Sequence, residues 1–148
     1  FGNQHAPEEI NWTYGTAKVL LALNEPAQIA LPGGGLRVTR AKNALLEMQR
    51  DDGVWSGFKG GEASIEETAL ALEALSGVTE ADGEPQAKLV KACDKAADWP
   101  VSQVESGAWT EPSPIGFYFA KLWYYEKLYP MIATVAALSN YRRLADKP

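Results

Sequence analysis

The sequence predicts an all-α fold of stacked helical hairpins, and three observations predict it. Leu45, Gln49, Gly53 and Trp55 are matched by Trp99, Gln103, Gly107 and Trp109, each pair 54 positions apart. Four coincident offsets mark an internal repeat of hairpin length. Segments apolar on most sides alternate with amphipathic ones in step with that repeat, as inner helices packed on two faces alternate with outer helices half in water. No run combines alternation of apolar and polar residues with the β-branched enrichment of a strand.

The elements follow in order. Ala17, Leu20, Leu21 and Leu23 recur at helical spacing and Asn24, Glu25 and Pro26 end the run, so a helix is expected over about Thr13 to Asn24. The glycines of Pro32–Gly35 read as a loop. Val38, Ala41, Leu45 and Met48 then share one helix face, with Arg37, Arg40, Lys42 and Glu47 on the other. After the Gly57–Gly61 linker, Ser64 and Glu67 form a capping-box pattern ahead of TALALEAL, a run dense enough in Ala and Leu to be buried, which stops near Gly77. Lys88 to Trp99 is again amphipathic, with Leu89, Ala92, Cys93, Ala96 and Trp99 on its apolar face, and Pro100 closes or kinks it. From Tyr118 a helix is expected through about Arg143, interrupted at Pro130. On that helix Tyr118, Leu122, Tyr125 and Tyr129 form one stripe, while Phe119, Trp123 and Glu126 point elsewhere.

At 148 residues the chain is one domain's worth, able to bury a core without covalent staples. A net charge of −5, with no basic cluster larger than Arg142–Arg143, argues against nucleic acid as a partner. Cys93 and His5 cannot by themselves complete a zinc site, so neither metal nor other cofactor is expected. No stretch reaches the roughly 18 apolar residues of a membrane span, and FGNQHAPEEI lacks the pattern of a secretion signal. The chain opens on Phe1 without a methionine, so a processed protein or a piece of a longer one is expected.

Each repeated Gln stands at the end of an outer helix, followed by a Gly turn and the Trp. An amide that both donates and accepts suits the orphan groups of helix ends, and an indole can shield it from water. Gln49, Trp55, Gln103 and Trp109 therefore read as scaffold.

The blocks AKNALLEMQRDDGVW and KAADWPVSQVESGAW resemble the QW motif of the squalene–hopene and oxidosqualene cyclases. The second has Trp99 at the aromatic position and Pro100 where an aliphatic residue is usual. NWTYGTAKVLLAL is similar to that family's N-Y-x-Y-G-T helix, with Trp12 in place of the first tyrosine, and FYFAKLWYYEKLYPMIATVAALSNYR resembles its C-terminal helix. The resemblance covers about Asn11 to Arg143. It implies that residues 1–148 form the last part of an (α/α)6 barrel, a partial toroid that lacks the remainder of its own chain and is expected to self-associate or to be marginally stable alone.

Those enzymes protonate a polyene with a strong carboxylic acid and hold the resulting carbocations against aromatic faces. Their acid lies in a D-x-D-D motif, which this sequence does not contain. Asp51, Asp52, Asp94 and Asp98 read as solvated charges. Glu66 and Glu67 in SIEETALAL occupy the place in their repeat that the aspartates occupy in theirs. Two readings stand for Glu66: a catalytic acid, or a first-turn glutamate that complements the helix dipole. The resemblance puts Trp12, Tyr118, Leu122 and Tyr125 among residues contacting an isoprenoid or squalene-like substrate, with Leu122 falling where the family has an aromatic. It puts Tyr14 in the shell behind the acid, against the plain reading of a buried tyrosine. It also implies a cytoplasmic protein, peripheral on the cytoplasmic face of the membrane. A competing reading is a non-catalytic helical-repeat module that binds an apolar ligand or a protein partner. The related barrel of the protein prenyltransferases needs an Asp, Cys and His zinc site, which one His and one Cys argue against.

Overall fold

The computed structural model describes residues 11–58, 60–78, 86–111, 113–117 and 122–146. Six helices account for most of them: α1 (Trp12–Leu23), α2 (Pro26–Ile29), α3 (Gly34–Met48), α4 (Ile65–Ser76), α5 (Gln86–Ser106) and α6 (Leu128–Ala145). A single 3-10 turn, Ala108–Thr110, follows α5, and a two-stranded hairpin, β1 (Ser113–Phe117) and β2 (Leu122–Glu126), precedes α6.

Of the helices expected to be buried on most sides, α4 is; α1 and α6 each keep an exposed face. Helix α4 lies at the centre, with α1 on one side and α6 on the other; α3 packs on α1 and α4, and α5 packs on α4 and α6. The result is two layers, a row of α1, α4 and α6 backed by α3 and α5. The IEETALALEALS sequence explains why α4 takes the middle: its small alanines let neighbours approach on several sides, and every residue from Thr68 to Ser76 except Glu73 is buried. Leu20, Leu45, Leu72 and Leu75, all fully buried, join Ala17, Val38, Cys93 and Ala137 in one continuous core. Each such leucine contributes roughly 2 kcal/mol relative to an exposed one.

Several boundaries differ from those the sequence predicts, each for a local reason. The first turn of α3 begins inside the glycine run, because Gly34 lies so close to Gln28 O and Ile29 O of the preceding short helix that no Cβ would fit. Lys42, expected on the wet face of α3, is 7% exposed. Helix α5 does not stop at Pro100 but runs through it to Ser106. The proline removes one intrahelical hydrogen bond, and its ring is fully buried, so packing offsets part of that loss.

The largest correction concerns the aromatic segment. Residues 122–126 form a strand paired antiparallel with 113–117, in the register Ser113 with Glu126 and Phe117 with Leu122. A stripe joining Leu122, Tyr125 and Tyr129 at helical spacing therefore has no helix to lie on, and Tyr118 lies outside the described residues. Pairing with 113–117 takes residues 122–126, and a proline suits the helix start that follows. Pro130 stands in the first turn of α6, where its missing N–H is one of the helix's orphans in any case. Had the helix begun a turn or more upstream, Pro130 would lie in its interior and its ring would crowd the carbonyl four residues back. Glu126 Oε1 accepts from Leu128 N at 3.0 Å and so satisfies one donor at this start.

Burial also refines the repeat. Val38, Ala41, Lys42 and Leu45 are matched in burial by Cys93, Ala96, Ala97 and Pro100, which stand 55 positions on rather than 54. The second helix thus reaches its glutamine one residue early. Gln49 is the C-cap of α3, whereas Gln103 lies inside α5, and Trp99 is half-buried where Leu45 is fully buried.

Candidate functional site

The heads of α1 and α4 are tied together by side chains. Asn11 caps α1, its Oδ1 accepting from Tyr14 N at 2.8 Å, and its Nδ2 donates to Glu67 Oε1 at 2.6 Å. Ser64 caps α4 by accepting from Glu66 N and Glu67 N at 3.2 and 3.4 Å. The expected capping box is thus half formed. Glu67 turns to Asn11, and Ser64 N donates instead to Trp55 O at 3.2 Å.

The segment that follows the first Gly turn stitches the same heads. Thr13 Oγ1 donates to Ser56 O at 2.6 Å, Trp12 N donates to Gly57 O at 2.8 Å, and Trp55 N donates to Thr68 Oγ1 at 3.0 Å. Thr13 and Thr68 are fully buried, so their hydroxyls must be satisfied within the fold, and these contacts satisfy them. Three hydrogen-bonded chain segments, 11–14, 55–57 and 64–68, therefore hold Tyr14 and Glu66 on neighbouring helix ends.

Glu66 differs from its neighbour. Its Oε1 is buried and has no hydrogen-bond partner among the described residues. Burial, reinforced by the negative charge of Glu67, pushes the Glu66 carboxyl up to about 7. A carboxyl with that value populates both protonation states near neutrality, so it can give or take a proton, while Glu67 is held as an acceptor by Asn11. Tyr14 is half-buried against the core, with Lys18 Nζ 5.7 Å from its ring centroid.

Of the other residues the sequence singles out, Trp12 is 58% exposed, and Leu122 and Tyr125 lie on β2 rather than on the inner row. Asn11 escapes a sequence reading centred on acids and aromatics, and so does its bond to Glu67. The signal that finds Asn11 is its place directly before an apolar helical run.

Gln49 and Trp55 act as scaffold, though with different partners from those expected. Gln49 Nε2 donates to Gly53 O at 2.8 Å and to Ala92 O of α5 at 2.9 Å, so it joins its turn to the side of the next outer helix rather than to a helix start. Trp55 Nε1 donates to Leu45 O, one of the orphan carbonyls ending α3. Cys93 is chemically quiet: burial pushes its thiol up to about 12, and Ser76 Oγ lies 3.9 Å from its sulfur. Among the described residues no three His, Cys, Asp or Glu side chains converge as metal ligands, and no helix is long and apolar enough to cross a membrane.

Comparison with known proteins adds one extended similarity. The chain is 32% identical over 158 aligned positions to the squalene–hopene cyclase of Zymomonas mobilis subsp. mobilis, which covers 94% of this chain and 22% of that protein. It is 36% identical to an uncharacterized protein of Bradyrhizobium diazoefficiens over 93 positions, covering 61% of the chain and 16% of the relative. An uncharacterized protein of Sinorhizobium fredii is also 36% identical, over 92 positions with the same coverage. The chain thus spans about a fifth or less of the length of these relatives. No protein-family model matches it, and no solved structure does.

Proposed function

We propose that this chain is the C-terminal portion of a squalene–hopene-cyclase-like terpene cyclase and supplies one wall of the apolar cavity in which a polyene is protonated and cyclised. The observation that carries this reading is the similarity to a squalene–hopene cyclase along 94% of the chain. The layered helices support it, because two backed rows of this kind are what an arc of an (α/α)6 barrel contains. So do the apolar side chains left uncovered on the row's outer members: Trp12 and Val19 on α1, and Leu128, Ile132 and Val135 on α6. A monomeric surface seldom exposes so many, and a cavity lining or a neighbouring repeat accounts for them.

In this reading the substrate is an isoprenoid or squalene-like chain. Trp12, Tyr118 and Tyr125 stabilise cationic centres along it, each interaction worth about 2 kcal/mol when desolvated. Leu122 widens the site by replacing an aromatic. The initiating acid belongs to the rest of the protein, Tyr14 supports it from behind, and Glu66 is a second proton-exchanging group at the same end of the row. The complete protein works on the cytoplasmic side as a peripheral membrane enzyme, and the isolated segment is inactive.

The test is to incubate the full-length protein with squalene and analyse the lipids by gas chromatography and mass spectrometry. Cyclic triterpenes are expected. If neither squalene nor any other polyprene yields a cyclic product, the enzymatic reading fails and the chain is a non-catalytic repeat module.

A further inference from the structure

Three consecutive side chains at the head of α4 point in three directions. Glu67 accepts from Asn11 Nδ2 and so faces α1. Thr68 faces Trp55 in the turn behind the row, with which its hydroxyl both accepts from the main-chain N–H and donates to the carbonyl. Positions two apart on an α-helix point about 200° from each other, so Glu66 lies opposite Trp55. That is the face of the row which α3 and α5 do not back. Leu70, one turn along the same face, is 5% exposed, so the carboxyl stands beside buried apolar surface. Its Oε1 is sealed from solvent and accepts from no donor among the described residues.

We infer that Glu66 is the proton acceptor that ends the cyclisation, and that it acts after one or two ring closures. The inference rests on the cyclase reading given above. A C–H bond beside the cationic carbon breaks, its electron pair becomes the C=C of the product, and the proton joins Glu66 Oε1. The carboxyl returns that proton to solvent between turnovers, so no other reactant is needed. Starting the reaction instead would require an acid able to protonate an alkene, and a group that keeps its proton up to about 7 is far too weak for that. Ending it requires only a base, because a carbocation gives up a proton readily. An oxygen with no donor on it and no bulk water beside it keeps its lone pair for the substrate, which favours an alkene over an alcohol. Position sets the ring count. In the cyclase reading the initiating acid stands at the head of another inner helix, so Glu66 shares the end of the cavity where the chain is protonated. The cations within its reach are those of the first rings, whereas the last cation of a longer cascade forms at the far end.

The test compares the products that the full-length protein and its variants form from squalene and other polyprenes. The unsubstituted protein should give alkenes of one or two rings. Glu66→Gln should lower the ratio of those alkenes to alcohols and to products of more rings by about a hundredfold, the usual contribution of a general base. Glu73→Gln makes the same chemical change two turns along the same face and should leave the ratio as it was. An unchanged ratio in Glu66→Gln overturns the assignment, as does an equal change in Glu73→Gln or an unsubstituted protein whose products have more than two rings. A folded Glu66→Gln that consumes no substrate overturns it too, since the residue would then be needed at the start. Thermal unfolding establishes which variants fold, and Glu66→Ala repeats the measurement if Glu66→Gln does not. If neither folds, Glu66 is structural and the assignment falls. Failure of the cyclase reading looks different: the unsubstituted protein then makes no cyclic product from any polyprene, and both inferences fall together.

Discussion

Trp55 Nε1 donates a 2.8 Å hydrogen bond to the carbonyl of Leu45, ten residues back and one turn from the end of α3. Both residues are fully buried, so the carbonyl has no access to water and the indole alone replaces the intrahelical donor it lacks. Trp55→Phe retains an aromatic ring and removes that donor. It should lower stability by about 2–3 kcal/mol in urea unfolding, from an orphaned carbonyl plus a small cavity.

Asn11 serves two partners with one side chain, capping α1 and donating to Glu67. Asn11→Ala should cost about 2 kcal/mol, about half from the cap and the rest from the unpartnered carboxylate. Asn11→Ser keeps a cap but cannot reach Glu67, so it should recover about half of the loss in the same measurement.

Glu66 makes stability depend on pH in a defined direction. Its carboxyl moves from 4.5 to about 7 on folding, so the native state holds a proton that the unfolded chain has released between those values. The stabilisation is full below 4.5 and is lost as pH rises through about 7. Glu66→Gln should leave stability unchanged at pH 4 and raise it at pH 8 by on the order of 1 kcal/mol, a figure reduced for the screening of a half-buried group. Urea titrations across that range measure it, and a parallel shift at every pH would contradict the burial argument.

The 148-residue chain should distinguish its two left-handed glycines. Among the described residues Gly107→Ala meets no neighbour and only backbone strain, about 1 kcal/mol, whereas Gly53→Ala meets strain and the main chain of α5 together. Thermal unfolding should place Gly53→Ala several degrees below Gly107→Ala.

Cys93 reports on the core. With its thiol buried and pushed up to about 12, it should resist a disulfide reagent at pH 8 until the domain unfolds. Labelling at the rate of an exposed thiol in native buffer would mean that α5 separates from α4 without global unfolding.

Much of the helical plan was legible because it rests on local chemistry. The Ala and Leu density of α4, the serine before it and the prolines that bound the helices act over a few residues, and the repeat fixed their order. Residues 122–126 were misread for the same reason. Their aromatics suit a helix face and a strand about equally, and pairing of 122–126 with 113–117 is decided by a partner strand that spacing within the segment does not report. Tyr14 and Glu66 stood out as residue types in position, but Asn11 and Glu67, 56 positions apart, show nothing of their contact in the linear chain.

The sequence by itself determined the helical class, the hairpin repeat and the identities of the repeated Gln, Gly and Trp, because periodicity and backbone preference are encoded within a turn or two of chain. Only the tertiary structure decided how those residues are used. It seated α5 on the first turn and left Gly107 of the second uncovered among the described residues, and it buried Glu66 beside a charge while giving Glu67 a donor. Burial and hydrogen-bond partnership are properties of neighbours brought from distant sequence, so two motifs alike in residue type acquire different surroundings, α5 against the first and α6 beside the second.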